Sequence, residues 1–363
     1  LLVWCSFQVW AVAAPPRRPA PHFEAQPSHA MLVPGDTVEF RVRALDAQDQ
    51  PLPGELLVQS AGTPPLRRTT DAAGWATCRF QTTKAMPEGI LSLELRHASQ
   101  GLKGKYDLDL VDRATCDAFQ AATEAVRFDR LPAHLLFIGD SLTDLFRGQN
   151  YVDKVGYWLG RRFGAQVTVK NVGVGGDTIT RVWDRLQGVP GSYRPEMYRS
   201  LFTPRPTDVF FFLGHNDSKV SSASGYKEHM VAPDVFAAQY RQALRRVQQQ
   251  TGARLVVLSA TSSVWEITQA TAEKRRAAGK SHNLFGKPAE LERFNALARA
   301  AATDCGACWI DVYEPTRRHP QKPSLFTADG VHVSNLGNRL LAIEILKDLH
   351  APGKSDHSTK PCR

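Results

Sequence analysis

The chain has 363 residues, 42% of them hydrophobic and 22% charged. That is room for about two domains, and the balance is that of a folded globular protein rather than a disordered one. The formal net charge is +9, but the basic residues are scattered, with Arg67-Arg68, Lys274-Arg275-Arg276 and Arg317-Arg318 the nearest to runs, so the charge reads as a solvated surface and not as a nucleic-acid interface.

In chain order, residues 1–14 (LLVWCSFQVWAVAA) read as the apolar part of a secretory signal whose start is missing. Ala11-Val12-Ala13 supplies a small-residue cleavage site. A frayed apolar terminus is the alternative. The stretch is too short to span a bilayer. A Pro-rich linker follows, so residues 1–22 are read as signal remnant and linker. The expectation is a secreted or periplasmic protein with no stable membrane insertion.

Residues 23–112 alternate with the period of strands. Val38, Phe40 and Val42 face one way and Glu39, Arg41 and Arg43 the other, and Leu91, Leu93 and Leu95 repeat the pattern. Turn signals separate the runs at Pro34-Gly35-Asp36, Pro53-Gly54, Asp71 to Gly74 and Pro87-Glu88-Gly89. A smaller all-β sandwich domain is predicted. The stretch TTDAAGWATCRF, Thr69 to Phe80, resembles bacterial immunoglobulin-like domains.

Residues 113–352 change rhythm. Short apolar runs at 134–138, 166–170, 208–213, 254–259 and 308–312 alternate with helical stretches at roughly 150–163, 178–187, 232–250, 288–303 and 335–349. This predicts an α/β fold, a flavodoxin-like doubly wound five-stranded parallel sheet. In such a sheet ligands bind beyond the carboxyl ends of the strands. Segments 217–235 and 262–288 read as polar loops near those ends; Tyr226, His229, Trp265 and Phe285 within them are candidates to stack on a sugar ring, with loop anchoring the alternative. Residues 353–363 read as a tail.

Of the six cysteines, Cys5 falls in the signal, leaving Cys78, Cys116, Cys305, Cys308 and Cys362. An odd number argues against a complete disulfide framework. Cys305 and Cys308 form a lone C-x-x-C, read as a local disulfide or two buried thiols rather than zinc ligands. No metal and no cofactor is expected.

Four segments fall directly after predicted strands or before the last helix: Gly139-Asp140-Ser141-Leu142, the run from Asn171 to Thr178 (NVGVGGDT), Gly214-His215-Asn216-Asp217, and Asp329-Gly330-Val331-His332. A serine hydroxyl becomes a nucleophile when a base takes its proton. His332 suits that task, and Asp329 is close enough in sequence to orient it. Backbone N–H groups of Ser141 and Gly176 with the Asn216 amide would stabilise an oxyanion. Asp140 and Asp177 read as structural, bonding loop backbone. His215 is a possible substrate contact, as is Trp265; for His215 a structural role is the alternative.

These blocks resemble the GDSL, or SGNH, hydrolase family over roughly residues 132–349. The resemblance implies Ser141 as nucleophile, Asp329 and His332 as its partners, and Ser141, Gly176 and Asn216 as the oxyanion hole. NVGVGGDT is similar to platelet-activating-factor acetylhydrolase-like members and GHND to rhamnogalacturonan acetylesterase-like ones. The implied function is a secreted serine esterase acting on an acylated carbohydrate or small ester, acetyl being the favoured acyl group. A lysophospholipase or thioesterase is the alternative, and a carbohydrate-binding or adhesin-like protein with a decayed hydrolase domain the second. All four blocks follow residue 132, so the sandwich is expected to be separable from the chemistry.

Overall fold

The computed structural model describes residues 20–349 except Gly62 and Ser99. The predicted signal segment, Cys5, Cys362 and the 353–363 tail lie outside them. The chain runs through β1 (His22–Gln26), β2 (Ala30–Leu32), β3 (Thr37–Leu45), β4 (Glu55–Gln59), β5 (Leu66–Thr69), β6 (Trp75–Gln81), β7 (Gly89–His97) and β8 (Lys103–Leu110). It continues through α1 (Arg113–Ala125), β9 (Ala133–Gly139), α2 (Tyr151–Phe163), β10 (Val167–Asn171), α3 (Ile179–Gln187), β11 (Asp208–Phe212) and α4 (Pro233–Thr251). The last elements are β12 (Arg254–Leu258), α5 (Trp265–Ala277), α6 (Pro288–Asp304), β13 (Cys308–Ile310), α7 (Tyr313–Arg318) and α8 (Asn335–Asp348).

The first eight strands form two sheets, ordered β1-β3-β6 and β2-β8-β7-β4-β5. Pairing is antiparallel between β1 and β3, β3 and β6, β4 and β5, and β4 and β7, whereas β2 lies parallel to β8. The alternation read from the sequence is real in β3, where Val38, Phe40 and Val42 are buried and Thr37, Glu39 and Arg41 are exposed. Phe40 stacks on Tyr106 of β8 with ring centroids 4.1 Å apart. The expected turn before β6 is built by Asp71, whose carboxylate accepts from the N–H groups of Ala73 and Trp75.

The described chain resolves into two compact units that interleave in sequence. One takes residues 20–28, 37–81 and 92–106; the other takes 29–36, 82–91 and everything from 107 onward. A single cut between residues 112 and 113 therefore does not divide them. The physical reason lies in Asp109. Wholly buried, it accepts from Lys154 Nζ at 2.8 Å, Asn335 Nδ2 at 2.7 Å and the Arg339 guanidinium. Removing residues 1–112 would strand two buried cations.

The second unit contains the parallel sheet in the order β10-β9-β11-β12-β13, the flavodoxin-like arrangement. Every strand pair in it is parallel. Its central strand, β11, has all five residues buried, as a strand covered on both faces requires. Phe211, Val257, Leu244, Val247 and Phe294 fill the core between this sheet and α3, α4 and α6. All five strands and five helices stand close to their predicted positions. Three helices were not foreseen: α1, α5 and α7. The expected loop 262–288 is helical over Trp265–Ala277; α5 buries only Thr268 and Ala272, so its sequence shows no apolar stripe to mark it as a helix.

The C-x-x-C pair is neither of the two expected things. Cys305 is a free thiol while Cys308 is disulfide-bonded, so the two do not bond to each other. Cys78 and Cys116 are free and buried.

Candidate active site

The site is assembled from the turns that follow β9, β10 and β11 and from the loop before α8. At the first turn, Asp140 Oδ1 accepts from Leu142 N at 3.0 Å and its carbonyl from Thr143 N at 3.1 Å. This closes a tight bend with Ser141 at its outer corner. Among the described residues, the Ser141 N–H has no protein acceptor. Its Oγ lies 2.8 Å from His332 Nε2.

The second loop is laid along the first. Val174 N donates to Gly139 O at 3.0 Å and Gly175 N to Asp144 Oδ2 at 3.0 Å. Gly173 crosses the first loop so closely that a Cβ there would sit 2.6 Å from the Thr143 carbonyl carbon. Gly176 has φ +82°, a conformation L side chains rarely adopt. A Cβ at Gly176 would meet only Arg181 Nη1, at 3.5 Å, so what the position demands is the backbone angle. Its N–H, too, has no protein acceptor among the described residues. Its carbonyl accepts from Arg181 Nη1 at 3.0 Å. Asp177 is structural in a different way from that expected: it forms a buried ion pair with Arg185 rather than bonding loop backbone.

In the third loop Asn216 is 3% exposed, and its Nδ2 is buried with no hydrogen-bond partner among the described residues. Leaving such a donor unsatisfied costs about 1–3 kcal/mol, so Nδ2 gains from an acceptor placed against it. His215 is 1% exposed. Its Nε2 accepts from Thr261 N at 3.0 Å, which puts the ring proton on Nδ1, 3.5 Å from Asp140 Oδ2. His215 therefore ties the third loop to the turn after β12, the structural alternative expected for it. Asp217 Oδ1 accepts from Ile179 N at 2.8 Å and so joins the third loop to the start of α3. Burial pushes its carboxyl up to about 7.

In the fourth segment one carboxylate does two things. Asp329 Oδ1 accepts from Thr327 Oγ1 and from the N–H groups of Val331 and His332, at 3.0, 2.9 and 3.0 Å. Its Oδ2 lies 2.5 Å from His332 Nδ1. Burial acts to raise the Asp329 pKa, but the His332 side chain and the two backbone donors outweigh it and hold the carboxyl well below the usual carboxylate range. The loop is pinned to the turn after β12, since Val264 N donates to Gly330 O at 2.8 Å. A carboxylate on Nδ1 fixes the imidazole tautomer and leaves Nε2 free to accept a proton from Ser141.

The structure thus brings Ser141, Asp329 and His332 into one hydrogen-bonded chain. The loop bearing Gly176 is bonded to the loop bearing Ser141, and the loop bearing Asn216 to the start of α3 and to the turn after β12. Trp265 opens α5 and is partly exposed. Tyr226 lies edge-on to His282, and His229 bonds Glu290 at 2.8 Å. Sequence reasoning missed Lys219, whose Nζ lies 3.4 Å from Asn216 Oδ1 and 4.9 Å from the centre of the Phe285 ring. Only its position, three residues after Asn216, could have flagged it.

The GDSL-like lipase/acylhydrolase family model matches residues 137–340. No curated protein matches the chain. Among solved structures, a lipase/acylhydrolase from Enterococcus faecalis is 19% identical with a TM-score of 0.43, over 60% of this chain and 95% of that one. A catalytic mutant of an acetylxylan esterase from Geobacillus stearothermophilus is 19% identical with a TM-score of 0.43, over 60% and 94%. An α/β hydrolase from the metagenome of Lake Arreo is 20% identical with a TM-score of 0.42, over 60% and 94%. The family match spans more than half of the 363 residues, with all four motif segments inside it: the chain belongs to the GDSL-like lipase/acylhydrolase family and is a serine ester hydrolase.

Proposed function

We propose that Ser141, His332 and Asp329 are the catalytic triad of an exported esterase that removes a small acyl group, acetyl first, from a carbohydrate. The carrying observation is the continuous chain Ser141 Oγ, His332 Nε2, His332 Nδ1, Asp329 Oδ2, at 2.8 and 2.5 Å across its two contacts. Ser141 Oγ attacks the acyl carbon while its proton passes to His332 Nε2. Asp329, ionised throughout, stabilises the imidazolium. The N–H groups of Ser141 and Gly176 and the Asn216 Nδ2 receive the oxyanion. Collapse breaks the ester C–O bond, and the departing alcohol takes the proton from His332. Water then repeats the sequence on the acyl-enzyme, with His332 as base, releasing the carboxylic acid and restoring Ser141.

A carbohydrate alcohol is supported by exposed aromatic rings close in the chain to the site loops: Tyr193 and Phe146 are 45% and 67% exposed, and Arg181, which bonds the Gly176 carbonyl, and Arg194 stack on them at 4.5 and 5.0 Å. Exposed Leu145 beside Phe146 favours the second reading, a lipid-directed acylhydrolase. Export rests on the sequence of residues 1–14. The experiment is turnover of nitrophenyl acetate by the purified protein and by Ser141→Ala and His332→Ala, followed by acetate release from acetylated polysaccharides. The triad assignment predicts that both variants fold and are inactive; a Ser141→Ala variant retaining near-normal turnover would remove it.

A further inference from the structure

We infer that Lys219 is a positioning residue for the oxyanion hole, acting through Asn216; this rests on the proposed role of Asn216. A primary amide can be turned over by half a rotation, which exchanges its donor and acceptor ends at almost no steric cost. For Asn216 the orientation decides the chemistry. With Nδ2 facing the site it donates to a developing oxyanion, and with Oδ1 there it repels one. The Asn216 side chain is buried, and Nδ2 has no partner among the described residues to hold it. What distinguishes the two orientations is the other end: Oδ1 faces Lys219 Nζ at 3.4 Å. A half-turn would aim the amide NH2 at the ammonium, donor against donor. The cation therefore locks the productive orientation. It also draws electron density toward Oδ1, making the Nδ2 hydrogens better donors when charge appears on the substrate.

Lys219 is itself held. Its ammonium lies 4.9 Å from the centre of the Phe285 ring, a cation–π contact. The neighbours of both residues are joined across the two loops: Val220 N donates to Leu284 O and Leu284 N to Val220 O, each at 3.0 Å. Asn283 Oδ1 accepts from Ser222 N at 2.9 Å. The segments 217–235 and 262–288, which read as polar loops in the sequence, thus meet in a short bridged pair through the part of the second that follows α5. That pair places one lysine behind one asparagine. Burial lowers the Lys219 pKa, as fits an ammonium drawn in from solvent.

The test is a double-mutant cycle of Lys219→Met and Asn216→Ala on nitrophenyl acetate, with Lys219→Arg as the conservative variant. Lys219→Met is expected to lower kcat about tenfold with KM changed less than twofold, and Lys219→Arg to restore most of the loss. In the Asn216→Ala background the added effect of Lys219→Met is expected to shrink below twofold, because there is no amide left to orient. Should Lys219→Met fail to fold, Lys219→Gln takes its place in the cycle with the same expectations. A Lys219 effect that multiplies undiminished onto Asn216→Ala, or one confined to KM, overturns the inference. If Asn216→Ala itself leaves kcat unchanged, the oxyanion-hole reading fails first, and the cycle shows this separately.

Discussion

At the scale of single residues, burial and hydrogen bonding keep two roles apart. Ser141 and Asn216 keep polar groups unpaired toward the site, while His215 and Asp217, flanking Asn216, are consumed in holding loops together. Asn216→Ala should lower kcat by roughly 10²–10³ with little change in KM, because the amide is needed when the oxyanion forms; an effect on KM alone would make it a binding residue. Asp217 gives a pH-dependent stability with a definite sign. Its folded pKa is raised to about 7 by burial, reinforced by the Asp140 and Asp177 charges, against about 3.9 in an unfolded chain. The native state thus holds a proton that the unfolded state gives up between roughly pH 4 and 7, and the stability this group contributes is lost as pH rises through that window. Asp217→Asn cannot titrate. It should therefore gain on the wild type by a few kcal/mol between pH 5 and pH 8, an order-of-magnitude figure, measured by urea unfolding at both. Equal ΔΔG at the two pH values would contradict it.

At the scale of elements, what the sequence makes legible follows from burial. β9 and β11 are buried on both faces, so they appear as unbroken apolar runs, and the residues after them could be named as site candidates. α5 buries two side chains and left no such trace. The Asp109 cluster was invisible for another reason: its partners lie 45 and 230 positions away, and only the fold brings them together. The same holds for Lys219 and Phe285. Asp109→Ala should cost about 3–5 kcal/mol, since it leaves Lys154 and Arg339 buried without their counter-ion. A truncation starting at residue 113 should fail to give a stable enzyme for the same reason. Recovery of a folded, fully active truncation would show that the buried cluster is dispensable. The loop crossing at Gly173 is a sharper local test. Gly173→Ala must displace Thr143, and should reduce kcat and thermal stability together; a variant with unchanged activity would mean that the first two loops need not touch.

At the scale of the whole molecule, a five-stranded parallel sheet gathers turns from four distant parts of the chain at its carboxyl end. Exposed Phe146 and Tyr193 carry the guanidinium groups of Arg194 and Arg181 on their ring faces. A long acyl chain would need continuous apolar surface, at about 0.8 kcal/mol for each buried methylene. Across a series of C2 to C12 esters, kcat/KM is expected to be highest for acetyl, and a maximum at C8 or longer would transfer the proposal to lipids. The nucleophilic oxygen of Ser141 can be tagged covalently. The intact protein is treated with a fluorophosphonate, the adduct counted by mass and its position mapped by peptide sequencing. A single adduct on Ser141 is expected, its formation abolished in Ser141→Ala and strongly slowed in His332→Ala. An adduct on another serine, or sustained ester turnover after Ser141 is fully labelled, would contradict it.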